Sequence, residues 1–243
     1  MGKPAIILSA LLTLIATLLL AQPAGAQEEE DPCATPPPGA ITGSDGNDVL
    51  RGTPGNDVIV AGDGDDVVLS LGGDDFICGG LGDDKIITGD GDDVVAADDF
   101  GFFGNVNAPG GDDVVVTGAG DDGVLAGPGN DTVNAGAGND IVTLAVGNDV
   151  GNGGAGNDIV IGGFGTDKLL GGTGTDALAG GPGSDLVNGG PGDDTLIGDL
   201  PGQTETGLPP TPDPNPNFDT CIGAAGTDAA YLCERTIAVE SVS

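Results

Sequence analysis

The sequence predicts an all-β solenoid, with short strands stacked into two parallel sheets that face each other. Three observations predict it. Gly and Asp recur at an interval of nine residues over most of the chain. An aliphatic residue follows two positions after nearly every one of those aspartates. Glycine, 49 of 243 residues, falls every two or three positions, where each would cost a helix about 1 kcal/mol.

From the amino terminus, Lys3, the apolar run from Ile6 to Leu20 and Ala24-Gly25-Ala26 read as a secretory signal peptide over residues 1–26. The acidic Glu28-Glu29-Glu30-Asp31 that follows is the wrong flank for a membrane anchor, and no other segment could span a bilayer. Residues 27–42 form a lead-in.

The ruler begins at residue 43. With the repeat numbered G-G-x-G-x-D-x-U-x, U being a large aliphatic residue, place six is Asp48, Asp57, Asp66, Asp75, Asp84 and Asp93 in a first array, residues 43–96. In a second array, residues 108–197, it is Asp113, Asp122, Asp131, Asp140, Asp149, Asp158, Asp167, Asp176, Asp185 and Asp194. Place four is glycine in all sixteen repeats: Gly46, Gly55, Gly64, Gly73, Gly82, Gly91, Gly111, Gly120, Gly129, Gly138, Gly147, Gly156, Gly165, Gly174, Gly183 and Gly192. Place eight is Leu, Ile or Val in fifteen, the exception being Gly151.

Between Asp93 and Asp113 the step is 20 residues, two more than two repeats. The interruption, residues 97–107, carries Phe100, Phe102 and Phe103. Those aromatics read as an outward bulge sealing apolar surface, with a binding loop as the alternative. The repeat region as a whole spans 43–199. Residues 200–217, with LPPTPDPNPN inside, read as a Pro-rich linker or loop. In 218–243 the ruler resumes at Asp219 and Asp228, as two degenerate repeats that would cap the exposed end of a solenoid.

Places one to six are glycines, Asn, Asp and small residues, the chemistry of a tight turn. Places seven to nine are β-formers such as Val67-Val68-Leu69, which predicts three-residue strands with place eight inward. Two repeats then make one flattened coil, and sixteen make about eight coils. Stacking sets the aspartates in columns of like charge, in a chain whose formal charge is −34. Folding therefore needs a counter-charge, and a cation supplies it. Carboxylate and carbonyl oxygens at a repeated turn suit calcium better than magnesium, which demands a stricter octahedron. Zinc and copper prefer His or Cys, and the chain has no His.

The repeat, as it stands from Asp48 to Asp194, resembles the repeats-in-toxin, or haemolysin-type, calcium-binding nonapeptide family. The Cys78-Gly79-Gly80 element is similar to that of small secreted bacterial members. The resemblance implies a parallel β-roll with several calcium ions between neighbouring coils, held by the sixteen place-six aspartates and turn carbonyls. It also implies folding triggered by extracellular calcium. Place five departs from Asn or Asp at Thr166, Thr175 and Ser184, and place-one and place-two glycines are missing from many early repeats, as at Ala61-Gly62 and Ser70-Leu71. Weaker sites are expected there.

The four cysteines lie at spacings of 45, 143 and 12 residues, unlike a zinc or iron–sulfur site. Cys221 and Cys233 are close enough in sequence to pair, which leaves Cys33 with Cys78, and an oxidising destination suits both bridges. With five Lys and Arg against 39 acids, binding to a nucleic-acid backbone is excluded. Carboxylate pairs such as Asp65-Asp66 recur in many turns, whereas a catalytic pair is singular, so no enzyme is expected. The expected function is a calcium-dependent structural or adhesive scaffold outside the cell. The alternative is a calcium-folded binding module for a surface polysaccharide or protein, using Phe100, Phe102 and Phe103.

Overall fold

The computed structural model describes residues 32–98, 110–198, 220–223, 229–231, 233 and 235–238. The signal-peptide segment, Phe100, Phe102 and Phe103, most of the Pro-rich stretch, and Asp219 and Asp228 lie outside the described residues.

Strands rich in Val, Ile and Leu alternate with glycine turns, and each turn sends the chain to the opposite sheet. Among the described residues two all-parallel sheets of ten strands result. The first contains Ile41–Thr42, Val58–Asp63, Phe76–Leu81, Val94–Asp98, Gly123–Pro128, Ile141–Val146, Ile159–Phe164, Ala177–Ala179, Thr195–Ile197 and Ala229–Tyr231. The second contains Val49–Arg51, Val67–Gly72, Lys85–Asp90, Val114–Ala119, Thr132–Ala137, Val150–Ala155, Lys168–Thr173, Leu186–Gly190, Thr220–Gly223 and Arg235–Ala238. Neighbours pair two repeats apart, as in Ile141↔Ile159 and Val142↔Val160. The architecture is the parallel β-roll that the repeat implies.

The ruler runs past the sixteen aspartates at both ends. Ile41 pairs with Ile59 in the place-eight register, ahead of the first aspartate. Cys221 and Ala230 hold the same register against Val187 and Leu196. A further strand, Arg235–Ala238, pairs with Thr220–Gly223 and has no aspartate to announce it.

The predicted three-residue strands are too short. Eleven strands run six residues, from place seven through place three of the next repeat. Alternation over six residues points two side chains inward, at place eight and at the following place one. Ala61, Ser70, Thr88, Ala97, Thr117, Ala126, Ala135 and Leu144 all stand at place one, and all are fully buried. This is why many repeats lack a first glycine: there the position belongs to the core. Its hydroxyls are satisfied along the stack. Ser70 Oγ donates to the Thr88 carbonyl at 3.1 Å, Thr88 Oγ1 to Thr117 at 2.9 Å, and Thr117 Oγ1 to Ala135 at 2.7 Å.

The place-eight exception has a compensating neighbour. A Cβ on Gly151 would lie 3.0 Å from Leu144 Cδ1 and 2.9 Å from Val160 Cγ1. Leu144, the largest place-one residue, thus fills the volume that Gly151 leaves.

The interruption also sits elsewhere than predicted. Val94–Asp98 continues the stack, with Gly80 opposite Asp98, so Ala97 and Asp98 are places one and two of the next repeat. The ruler resumes at Gly110 as place three, and the extra residues are 99–109 rather than 97–107. Beyond them Val94 pairs with Gly123 at the usual height.

Both predicted disulfides form. Cys33–Cys78 fastens the lead-in to the first sheet. Cys221–Cys233 closes the carboxy-terminal end, with the Cys221 side chain fully buried at place eight.

Candidate metal centre

The turns are held by two hydrogen-bond ladders that run in opposite senses along the stack. At place six the backbone N–H donates forward to the aspartate of the next coil. Asp122 reaches Asp140 Oδ1 at 2.9 Å, and Asp140 reaches Asp158 Oδ1 at 2.9 Å. At place five the N–H donates backward. Asn130 reaches Asp112 Oδ1 at 2.7 Å, and Asn148 reaches Asn130 Oδ1 at 3.0 Å. From Gly64 onward, place four must be glycine for a separate reason. Gly82 has φ +125°, and a Cβ there would lie 2.5 Å from the Gly64 carbonyl oxygen.

The forward ladder satisfies only one oxygen of each carboxylate. From Asp66 to Asp194, all fourteen place-six aspartates are no more than 3% exposed. In Asp66, Asp75, Asp84, Asp93, Asp113, Asp122, Asp131, Asp140, Asp149, Asp158, Asp167 and Asp176 the buried Oδ2 meets no hydrogen-bond donor. The Thr88 and Thr117 hydroxyls beside Asp93 and Asp122 direct their single protons to carbonyls instead. In the later repeats Oδ2 faces the place-one glycine of its own repeat. A Cβ on Gly162 would lie 2.5 Å from Asp167 Oδ2 and 2.6 Å from the Gly180 carbonyl oxygen. The glycine thus leaves open a cradle between a carboxylate oxygen and a carbonyl oxygen of the next coil.

Burial of these half-satisfied carboxylates raises their pKa. Asp113 is pushed up to about 8, by burial first and then by the charges of Asp98, Asp131 and Asp84, against the opposing N–H of Asp84. Burial carries Asp84 and Asp149 to about 7, and Asp131, Asp140, Asp167 and Asp176 to about 6. Asp66, Asp93, Asp122 and Asp158 rise for the same reason. An acceptor-only oxygen buried without a donor is unfavourable unless a cation or proton reaches it.

Asp48 and Asp57 differ. Ser44 donates to Asp48 Oδ2 through its N–H at 2.7 Å and its hydroxyl at 2.8 Å. Thr53 does the same for Asp57, at 2.6 and 3.0 Å. These two carboxylates are satisfied within their own turns.

The family model for the RTX calcium-binding nonapeptide repeat (4 copies) matches residues 42–77, 72–100, 110–142, 145–178 and 170–200. The chain belongs to the RTX calcium-binding nonapeptide repeat family. No curated protein matches it.

The residues fit the ion of the RTX repeats. Among the described residues no three Cys, Asp or Glu side chains form a group able to hold a metal. A bound cation would thus draw much of its shell from turn carbonyls, which calcium's six to eight oxygen ligands permit. The place-six aspartates would hold it through Oδ2, and the ion would supply the counter-charge these oxygens lack. The Thr166 and Thr175 turns, predicted to be weaker, keep the forward ladder: Asp167 and Asp176 donate to Asp185 and Asp194 at 2.9 Å.

Sequence reasoning missed two features. Asp98 is a buried carboxylate in the interrupted turn, and it is found by continuing the ruler forward from Asp93 instead of backward from Asp113. The hydroxyl caps are signalled by Ser or Thr four residues before the aspartate, at Ser44 and Thr53.

Proposed function

We propose that this calcium-binding RTX protein is secreted and serves outside the cell as a scaffold that folds when calcium reaches its turns. The observation that carries the reading is the column of buried Oδ2 atoms without donors, repeated through nearly the whole roll. A chain with 39 acidic residues repels itself in a calcium-poor cytosol and becomes compact where calcium neutralises the columns. Two disulfides suit the same oxidising destination. Catalysis has no place in this reading, because the place-six carboxylates repeat from coil to coil. The competing reading, a module that binds a surface polysaccharide or protein through Phe100, Phe102 and Phe103, falls on residues outside those described.

The test is a calcium titration of residues 27–243, refolded with both disulfides, followed by far-ultraviolet circular dichroism with magnesium as control. A cooperative gain of β signal with calcium, absent with magnesium, is expected. A chain already fully β-structured in chelator, or indifferent to calcium, sinks the reading.

A further inference from the structure

Where the array is interrupted, one turn is built differently from its neighbours. Place two is glycine in the coils on either side, Gly80 at φ +115° and Gly127 at φ +130°. In the interrupted coil it is Asp98, paired with Gly80 and only 2% exposed. Asp98 Oδ1 accepts the Gly111 N–H at 3.3 Å. Its Oδ2 lies where a Cβ on Gly110 or Gly127 would stand, and the Pro128 carbonyl oxygen meets the same point beside Gly110. The absent side chains at those glycines leave room around the carboxylate.

Two residues beyond Gly111 is Asp113. It is 1% exposed, and its Oδ2 meets no donor. Asp98 is the charge that acts on it most strongly, ahead of Asp131 and Asp84 in its own column. Elsewhere among the described residues a turn contributes one buried aspartate, from place six. Here the turn contributes two buried carboxylates, and a cation between them would meet twice the ligand charge of a regular turn.

We propose that Asp98 and Asp113, with neighbouring turn carbonyls such as that of Pro128, form a calcium site of a second kind, which holds its ion more tightly than the regular turns. The inference rests on the reading that the turns bind calcium. Its physical basis is that ligand charge count sets calcium affinity when geometry is similar.

Equilibrium dialysis of the disulfide-bonded chain against falling free calcium, with bound calcium counted per chain, tests it. Wild type is expected to retain one ion after the others have left. Asp98→Asn keeps the acceptor for Gly111, and Asp98→Gly restores the residue of Gly80 and Gly127. Both variants are expected to release that last ion at a free calcium about tenfold higher or more, together with the rest. Variants that retain it at the wild-type concentration, or a wild type that empties in a single phase, overturn the proposal. Wild type that takes up no calcium overturns the reading of the turns themselves. Should the glycine variant fail to show the β signal in saturating calcium, the asparagine variant decides.

Discussion

A buried carboxylate that accepts one backbone N–H through Oδ1 is only half satisfied, and Asp140 carries the consequence. In Asp140→Asn the Asp122 N–H keeps its acceptor while the buried charge disappears. In chelator this variant should be more stable than wild type, by on the order of 1 kcal/mol. In calcium the order should reverse, with fewer ions bound and a higher midpoint calcium for folding. Chemical denaturation in the two media measures both, and a variant weaker in both would contradict the assignment of Oδ2 to the ion. The aspartates were legible because they repeat. Which of them lack a donor was not, since that depends on the conformation that lets Ser44 and Thr53 turn back on Asp48 and Asp57. Asp98 was hidden because the register across the interruption is set by strand pairing, to which the spacing of aspartates is blind.

Strands of six residues give each rung two inward positions, and the two can trade volume. Leu144 and Gly151 lie in opposite sheets and share one space. Leu144→Ala should cost about 2–5 kcal/mol by opening a cavity. Gly151→Ala alone should cost about 1–3 kcal/mol by crowding Leu144 and Val160. Combining them should cost clearly less than the sum, because the new methyl enters the vacated space. Unfolding in saturating calcium reports all three, and strict additivity would contradict shared packing. At this scale the sequence revealed half of each strand. Val, Ile and Leu at places seven to nine are plain β-formers, but Ala135 or Thr117 at place one looks like turn until the alternation is extended across it.

For the whole molecule, raised carboxylate pKa values become a dependence of stability on pH. A folded pKa of 6 to 8, as at Asp131, Asp84 and Asp113, lies above the value near 3.9 of an unfolded aspartate. The folded, metal-free chain therefore binds more protons than the unfolded one across that interval. Its stability is fullest near pH 4 and falls as pH rises through 8. Calcium competes with those protons, so its affinity rises over the same range. In chelator the β signal should grow as pH drops from 8 to 5, while in saturating calcium it should stay level. A metal-free chain that loses structure on mild acidification would contradict the burial of these groups. The parallel roll and its cation were legible in the nine-residue period. The final strand, Arg235–Ala238, was not, because no aspartate or glycine marks it.

The hydroxyl caps at Asp48 and Asp57 give the roll a direction of growth. Those two turns carry their own donors, and the Cys33–Cys78 bridge ties the preceding segment to the third strand of the first sheet. The amino-terminal edge can thus order before any ion arrives, while each coil beyond it waits for counter-charge. In a stack where every coil touches only its neighbours, such an edge is a template. Assembly proceeds from it like a zipper, one coil and its cations at a time, and the edge that starts it is the part of the roll that needs calcium least.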